Sequence, residues 1–332
     1  MNDPLIVGIE EMYKTSHPFP QLPFFKLVSF EDKHTLESAD IFVQNNIIEQ
    51  GRKHRKIYYQ YIKNSGKPYL CVEAPVFRRN MLLHPHPKSY HRWSWMSYLR
   101  NEGDYNNINC SPDRWYTIKK LQNIQIKDWR YSGDYILLIM QRPGDSSLKN
   151  LFLKYNSYEN FLSSTIKQIR KHTDRPIRLR LHPAKQTLQL RMLKNINLKN
   201  IEISQNMHGI INNGNKEGGT GLYEDFKNAR AVVGFNSNAL TESICEGIPT
   251  FSMCNSSMAW ECSNHDLSYL ESETSMDRDQ WLANLGYCQW TLTETRNGEP
   301  WYHLKSLYKT KYKKKKPGKL KVYKSNKRKH IR

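Results

Sequence analysis

Short apolar runs bounded by polar loops recur along the chain and alternate with stretches of helical period. In the first third, Leu5–Ile9, Ile41–Val43 and Tyr69–Val72 have the length of buried strands, and Ile47–Ile62 between the last two has helical spacing with a basic outer face. A second series opens after Ser132-Gly133-Asp134. Tyr135–Met140 predicts a strand, and Tyr158–Lys171 a helix with its apolar stripe at Phe161, Leu162, Ile166 and Ile169. Ile177–Leu181 and Ile201–Ile203 read as strands, Tyr223–Ala229 as a short helix, Ala231–Phe235 and Thr250–Met253 as strands, and Asp279–Tyr287 as a helix. Alternation of this kind predicts an α/β fold with two Rossmann-like halves. Between Arg78 and Trp129 periodicity fails, and the stretch reads as an insertion or surface region.

The most informative segment is AVVGFNSNALTESICEGIPTFSM, residues 231–253. A strand that stops at Asn236-Ser237-Asn238 and feeds a helix presents backbone N–H groups and a positive dipole end beside small polar side chains, the requirements for holding a phosphate. Glu242, on the first turns of that helix, is placed to accept from a sugar hydroxyl of a bound nucleotide. Two other strands end in polar loops. His182-Pro183 offers a ring N–H after one of them, and Gln141, Asp145 and Ser146 follow another, where Asp145 also suits a capping role. Ligands of doubly wound sheets gather at such carboxyl ends.

Length and charge refine the picture. At 332 residues the chain has room for two domains, here 1–132 and 133–304. Of a net charge of +20, the 12 Lys and 2 Arg between Lys305 and Arg332 contribute +14 with no acid among them. A run such as Lys313-Lys314-Lys315-Lys316 repels itself and has little to bury, which predicts a disordered tail over 305–332 attracted to a polyanion. The six cysteines lack zinc-site spacing, and there is neither a secretory leader nor a run long enough to cross a bilayer. The expectation is a cytoplasmic protein with reduced thiols and no membrane partner.

Two carboxylates are candidate general bases: Glu73, at the end of the Tyr69–Val72 run, and Asp113, whose setting Ser-Pro-Asp-Arg-Trp also suits a cap. Asp277-Arg278-Asp279 is better explained as a helix start than as a metal chelate, so no metal is assigned. A Walker loop, GxGxxG, HExxH and GxSxG are all missing, which counts against kinases, dehydrogenases, metalloproteases and typical hydrolases. Arg78, Arg79 and four further arginines through Arg130 interleave with Trp93, Trp95, Tyr98, Trp115 and Trp129, a pattern equally suited to nucleic acid or to a small aromatic core.

The runs ILLIMQRPGDSSL, RLRLHP and ARAVVGFNSNALTESICEGIPTFSM resemble the nucleotide-binding half of GT-B glycosyltransferases related to capsule polysaccharide (Kdo-type) transferases. YLCVEAPVFRR is similar to their N-terminal acidic motif, although Ala74-Pro75 stands where a glycine usually follows the acid. The pattern DRW, HP, FNSN and DRDQWLANLGYCQWTLTE also resembles a group of tailed-phage proteins, over most of the chain up to about residue 303. The resemblance implies two Rossmann-like domains facing a cleft and metal-independent transfer from a nucleotide sugar, with no cofactor beyond that co-substrate. It makes His182, Ser237, Asn236 and Asn238 phosphate contacts, with Glu242 on the ribose or sugar. The phage likeness implies hydroxymethylated pyrimidines of phage DNA as acceptor, contacted by Arg78, Arg79 and the lysines 313–316. Alternatives are a surface or capsular glycan as acceptor, or a DNA-binding protein whose nucleotide site has decayed.

Overall fold

A computed structural model describes residues 5–9, 25–30, 32, 36–45, 53–77, 86–194, 196, 199–205 and 220–313. Of the expected nucleic-acid contacts, Arg78, Arg79, Lys314, Lys315 and Lys316 lie outside the described residues.

The chain builds two sheets. The first holds β1 (Leu5–Ile9), β2 (Phe25–Ser29), β3 (Ile41–Asn45), β4 (Tyr69–Glu73), β5 (Tyr90–Trp95) and β11 (Gln289–Thr291), in the order β11-β5-β4-β3-β1-β2. Helix α1 (Lys53–Ser65) connects β3 to β4, which pair in parallel. The second sheet is wholly parallel, with β6 (Tyr135–Ile139), β7 (Ile177–Arg180), β8 (Ile201–Ile203), β9 (Ala229–Gly234) and β10 (Thr250–Ser252) in the order β10-β9-β6-β7-β8. That is the doubly wound Rossmann order, which reverses direction between β6 and β9. Helices α2 (Asp113–Leu121), α3 (Lys149–Tyr155), α4 (Tyr158–Arg170), α5 (Gln186–Leu193), α6 (Thr220–Lys227), α7 (Ala239–Cys245), α8 (Asp279–Gly286), α9 (Leu292–Arg296) and α10 (Glu299–Leu307) complete the fold.

The apolar runs became strands because both faces of each sheet are covered. Ile136 and Leu138 pack with α4 through Phe161, Leu162, Ile166 and Ile169, while Leu137 and Ile139 face a second core. That second core is continuous across the two units. It gathers Val76, Phe77 and Tyr90 from the first, Trp115 and Ile118 from α2, Leu240 and Ile244 from α7, and Trp281 and Leu285 from α8. Burial of this order, about 1.5–3 kcal/mol per large side chain, fixes the sheets relative to each other.

Two expectations need correction. The stretch read as an insertion contains β5, an inner strand paired antiparallel to both β4 and β11. Trp93 and Trp95 are buried on one face of it and Trp115 is buried in α2, so these aromatics are core. Its described arginines, and Arg130 just beyond it, bind groups of the chain itself: Arg92 donates to Ala74 O, Arg100 pairs with Glu261, Arg114 with Glu294, and Arg130 binds the carbonyls of Phe226, Ala229 and Ser132. Periodicity missed β5 because one face carries Arg92 and Ser94, polar residues buried among other polar groups.

The second correction concerns the end of the chain. Residues 289–312 return to the first sheet, and residues 305–312, expected in the disordered tail, are helical. Tyr308 stacks on Trp95 with ring centroids 5.8 Å apart and Tyr312 is buried. Lys309, Lys311 and Lys313 stay exposed on the outside. The tyrosines bury while the lysines remain in water, so charge alone misjudges the segment.

Candidate active site at the carboxyl ends of the two sheets

The reversal between β6 and β9 is spanned by two of the predicted donor-site residues. Gln141 Nε2 donates to Asn236 Oδ1 at 2.7 Å, and Asn236 N donates back to Gln141 Oε1 at 3.1 Å. Asn236 Nδ2 then donates to Ser147 O at 2.8 Å and Ser256 Oγ at 2.7 Å, which uses both amide protons. Tyr158 Oη accepts from Gln141 N at 2.6 Å. Both side chains are buried, and their geometry makes them a clamp holding two strand ends together rather than groups turned outward to a ligand.

That clamp presents two loops. In the first, Asp145 caps a 3-10 turn (Ser146–Leu148) by accepting from Ser147 N at 2.9 Å, and the turn runs directly into α3. Half-buried Ser146 meets the phenol of Tyr98 at 2.9 Å. In the second loop, Ser237 Oγ accepts from Ala239 N at 3.3 Å and Asn238 O accepts from Thr241 N at 3.0 Å, so the chain winds into α7 at once. Asn238 Nδ2 reaches across to Pro75 O at 3.2 Å. Glu242, in the first turn of α7, accepts from Tyr223 Oη at 3.1 Å.

His182 follows β7, the other neighbour of β6. Its Nδ1 accepts from Ala184 N at 3.1 Å, which leaves the ring proton on Nε2 as a donor. Gln189, fully buried in α5, fixes this turn by accepting from His182 N at 2.7 Å and donating to His182 O at 2.7 Å and Ala184 O at 3.0 Å. Within β7, the Arg180 guanidinium is paired with buried Asp225, which also accepts from Ser204 Oγ at 2.7 Å. Arg180 is therefore held by the fold, and Arg178 pairs with Glu202 at 3.1 Å.

Across from these loops stands Glu73, buried at the end of β4, with Oε1 accepting from Ala74 N at 2.8 Å. Arg92 is its cross-strand partner, and Arg92 Nε donates to Ala74 O at 2.8 Å. Val76 N donates to Gln289 Oε1 at 2.9 Å, and with the Asn238 contact this pins residues 74–76 between the sheets. Asp113 is placed differently. It is exposed at the start of α2 and accepts from Ser111 Oγ at 2.6 Å, while Pro112 occupies the N-cap position without a side-chain cap. Asp277 Oδ1 likewise accepts from Asp279 N at 2.9 Å at the start of α8. Among the described residues no group of three or more His, Cys, Asp or Glu could hold a metal ion, and all six cysteines are free.

The sequence placed Tyr98 and Arg92 in a stretch suited to nucleic acid or to an aromatic core rather than in this site, and it did not identify Gln189 or Ser256. A buried glutamine inside an amphipathic helix was the available signal for Gln189. Ser256 carried none, because its role exists only once β10 lies beside β9.

No protein-family model matches the chain, and no curated protein matches it either. Solved structures do. The β-Kdo 2,4 transferase of Thermosulfurimonas dismutans KpsC superposes with a TM-score of 0.52 at 12% identity, over 87% of this chain and 91% of that one. The β-Kdo 2,7 transferase of the same KpsC gives 0.49 at 11% identity, over 89% and 99%. Methanocaldococcus jannaschii UDP-GlcNAc 2-epimerase, solved with UDP-GlcNAc and UDP, gives 0.35 at 11%, over 90% and 99%. With the Rossmann order of the second sheet and the shared span of the first of these structures, the chain has a GT-B-like fold of two α/β units, the first built on a mixed sheet and the second on a parallel one.

Proposed function

We propose that the protein is a glycosyltransferase that takes a sugar from a nucleotide donor seated on the second sheet. The observation that carries this reading is the Gln141–Asn236 clamp at the strand reversal. It sets the Ser146 and Ser237–Asn238 loops side by side, opposite the buried carboxylate of Glu73. In the proposed complex, Ser146, Ser237, Asn238 and the Nε2–H of His182 donate to donor phosphate oxygens. Asp145 holds its loop, and Glu242 with Tyr223 faces the ribose or sugar. Glu73 removes the proton of the acceptor hydroxyl. Asp113 becomes the second choice, since it is exposed at the start of α2 with its carboxylate engaged by Ser111. The similar fold of the β-Kdo 2,4 transferase supports the class of reaction.

For the acceptor, the proposal is a hydroxymethylated pyrimidine of phage DNA. The +14 charge between Lys305 and Arg332 supports it, because a polycation concentrates an enzyme on a polyanion. A glycan acceptor is favoured by a separate observation, the internal engagement of Arg92, Arg100, Arg114 and Arg130. Incubation with hydroxymethylated DNA and a panel of nucleotide sugars, followed by nucleoside mass spectrometry, separates the two. A donor-dependent mass gain on the modified pyrimidine is the expected result. Sugar transfer to an oligosaccharide, with none to DNA, would move the assignment to the glycan.

A further inference from the structure

The turn from Trp95 to Asp104 is among the most heavily cross-braced in the molecule. Trp95 and Asp104 exchange backbone hydrogen bonds at 2.9 and 3.0 Å. Met96 takes a left-handed φ of 67° and its carbonyl accepts from Tyr69 Oη. Ser94 Oγ donates to Ser97 O at 2.5 Å, and a Cβ on Gly103 would stand 2.0 Å from that same carbonyl oxygen. Tyr105 Oη donates to Tyr98 O at 2.5 Å. The turn rises from the first sheet, yet its tip is fastened to the second. Arg100 Nη2 pairs with Glu261 at 2.6 Å, Arg100 N donates to Ser256 O at 3.2 Å, and Glu102 pairs with Lys149 at 2.5 Å.

Tyr98 occupies the centre of this bridge and is buried. Its phenol lies 2.9 Å from Ser146 Oγ, and the Arg92 guanidinium sits 5.7 Å from its ring centroid. Arg92 in turn holds Ala74 O, directly after Glu73. Burial first, then the negative charges of Asp145 and Glu73, push the phenol far above its ordinary pKa, against the opposing effect of the Ser146 bond. Both hydroxyls keep their protons, so either oxygen can donate across the 2.9 Å contact, and a phenol that donates leaves the serine O–H directed at another acceptor.

We propose that Tyr98 is a positioning residue for the donor: by donating to Ser146 Oγ it turns the Ser146 O–H toward a phosphate oxygen of the nucleotide sugar. Through Arg92 it also links that hydroxyl to the Glu73 strand end. The inference rests on the transferase reading of the cleft. A double-mutant cycle tests it, with Tyr98→Phe, Ser146→Ala and the pair, titrated calorimetrically with CMP and UDP as probes. For whichever nucleotide the wild type binds, each single change is expected to weaken affinity about tenfold, the scale of one hydrogen bond to a charged group. The double variant is expected to lose the same factor rather than its square, and affinity for the matching nucleoside, which has no phosphate, to stay level.

Wild-type affinity in Y98F, or losses that multiply in the double variant, would overturn the proposal and leave the donor site standing. A wild-type protein that binds neither nucleotide would remove the donor reading and this inference together. If Y98F does not fold, Ser146→Ala against Ser146→Thr decides: loss in the first with recovery in the second is expected, and wild-type affinity in the first overturns it.

Discussion

At the scale of single residues, the cleft is built from polar groups whose partners are other polar groups of the same chain. Asn236 shows the consequence. Replacing it by alanine removes three side-chain hydrogen bonds and strands buried partners on Gln141, Ser147 and Ser256. Asn236→Ala is therefore expected to cost about 2–4 kcal/mol of stability, read as a lowered urea midpoint, and to weaken nucleotide binding by displacing both loops. Ser237→Ala should weaken nucleotide binding with little change in that midpoint, since the Ser237 side chain makes one local bond at 3.3 Å. His303 supplies a pH signature remote from the cleft. Its ring packs on Tyr287 and Trp290, Nε2 lies 3.0 Å from Tyr105 O, and burial first, then nearby Arg114, holds its pKa below the ordinary value. A depressed folded pKa means that the unfolded chain takes the proton first as pH falls. The stability His303 confers is complete above about pH 6.5 and is lost as pH drops through the folded value. Unfolding midpoints measured at about pH 7.5 and about pH 5 should fall on acidification, and His303→Gln should shrink that difference.

At the scale of elements, the turn from Trp95 to Asp104 depends on one glycine. Gly103 leaves no space for a side chain against the Ser97 carbonyl, and that contact is with backbone rather than with a flexible side chain. Gly103→Ala is expected to destabilise the protein by about 2 kcal/mol or more and to raise hydrogen exchange around residues 96–104. An unchanged exchange pattern would show that the turn has room the structure denies it. Gly247, with φ of +72° and its absent Cβ 2.0 Å from Asp128 O, plays the same part between α7 and β10. The sequence marked the Gly247-Ile248-Pro249 turn plainly, because glycine and proline signal turns by themselves. Nothing local marked Gly103, since the carbonyl that excludes a side chain arrives only when the turn closes.

At the scale of the whole molecule, the chain leaves the first sheet after β5 and comes back to it at β11. Trp290, Trp301, Leu304 and Tyr312 then complete the core beneath β1, β3, β4 and β5. Truncation after Leu304 is accordingly expected to expose Trp95 and lower the thermal midpoint. Truncation after Lys313 should leave that midpoint near wild type and reduce DNA retention at low salt. If both truncations unfolded alike, or neither moved the midpoint, the role assigned to Tyr308 and Tyr312 would be wrong. Among the described residues no helix is long and apolar enough to cross a membrane.

The sequence by itself determined the strands buried on both faces and their alternation with helices, because runs such as Tyr135–Ile139 and Ala229–Gly234 have one stable environment whatever surrounds them. It also determined the polar strand ends, where small side chains and helix starts are written next to each other. Tertiary structure alone decided which polar residues face each other. Gln141 and Asn236 are 95 residues apart and became partners only when β6 and β9 paired. Arg92 and Ser94 concealed a strand because their compensating contacts, to Ala74 O and Ser97 O, exist only once the sheet pairs and the turn after it closes, and the lysines after 304 concealed a helix whose tyrosines pack against Trp95. Local pattern reports what a residue prefers. Pairing over long range sets which preference it satisfies, and in a cleft of buried polar groups that pairing is most of the structure.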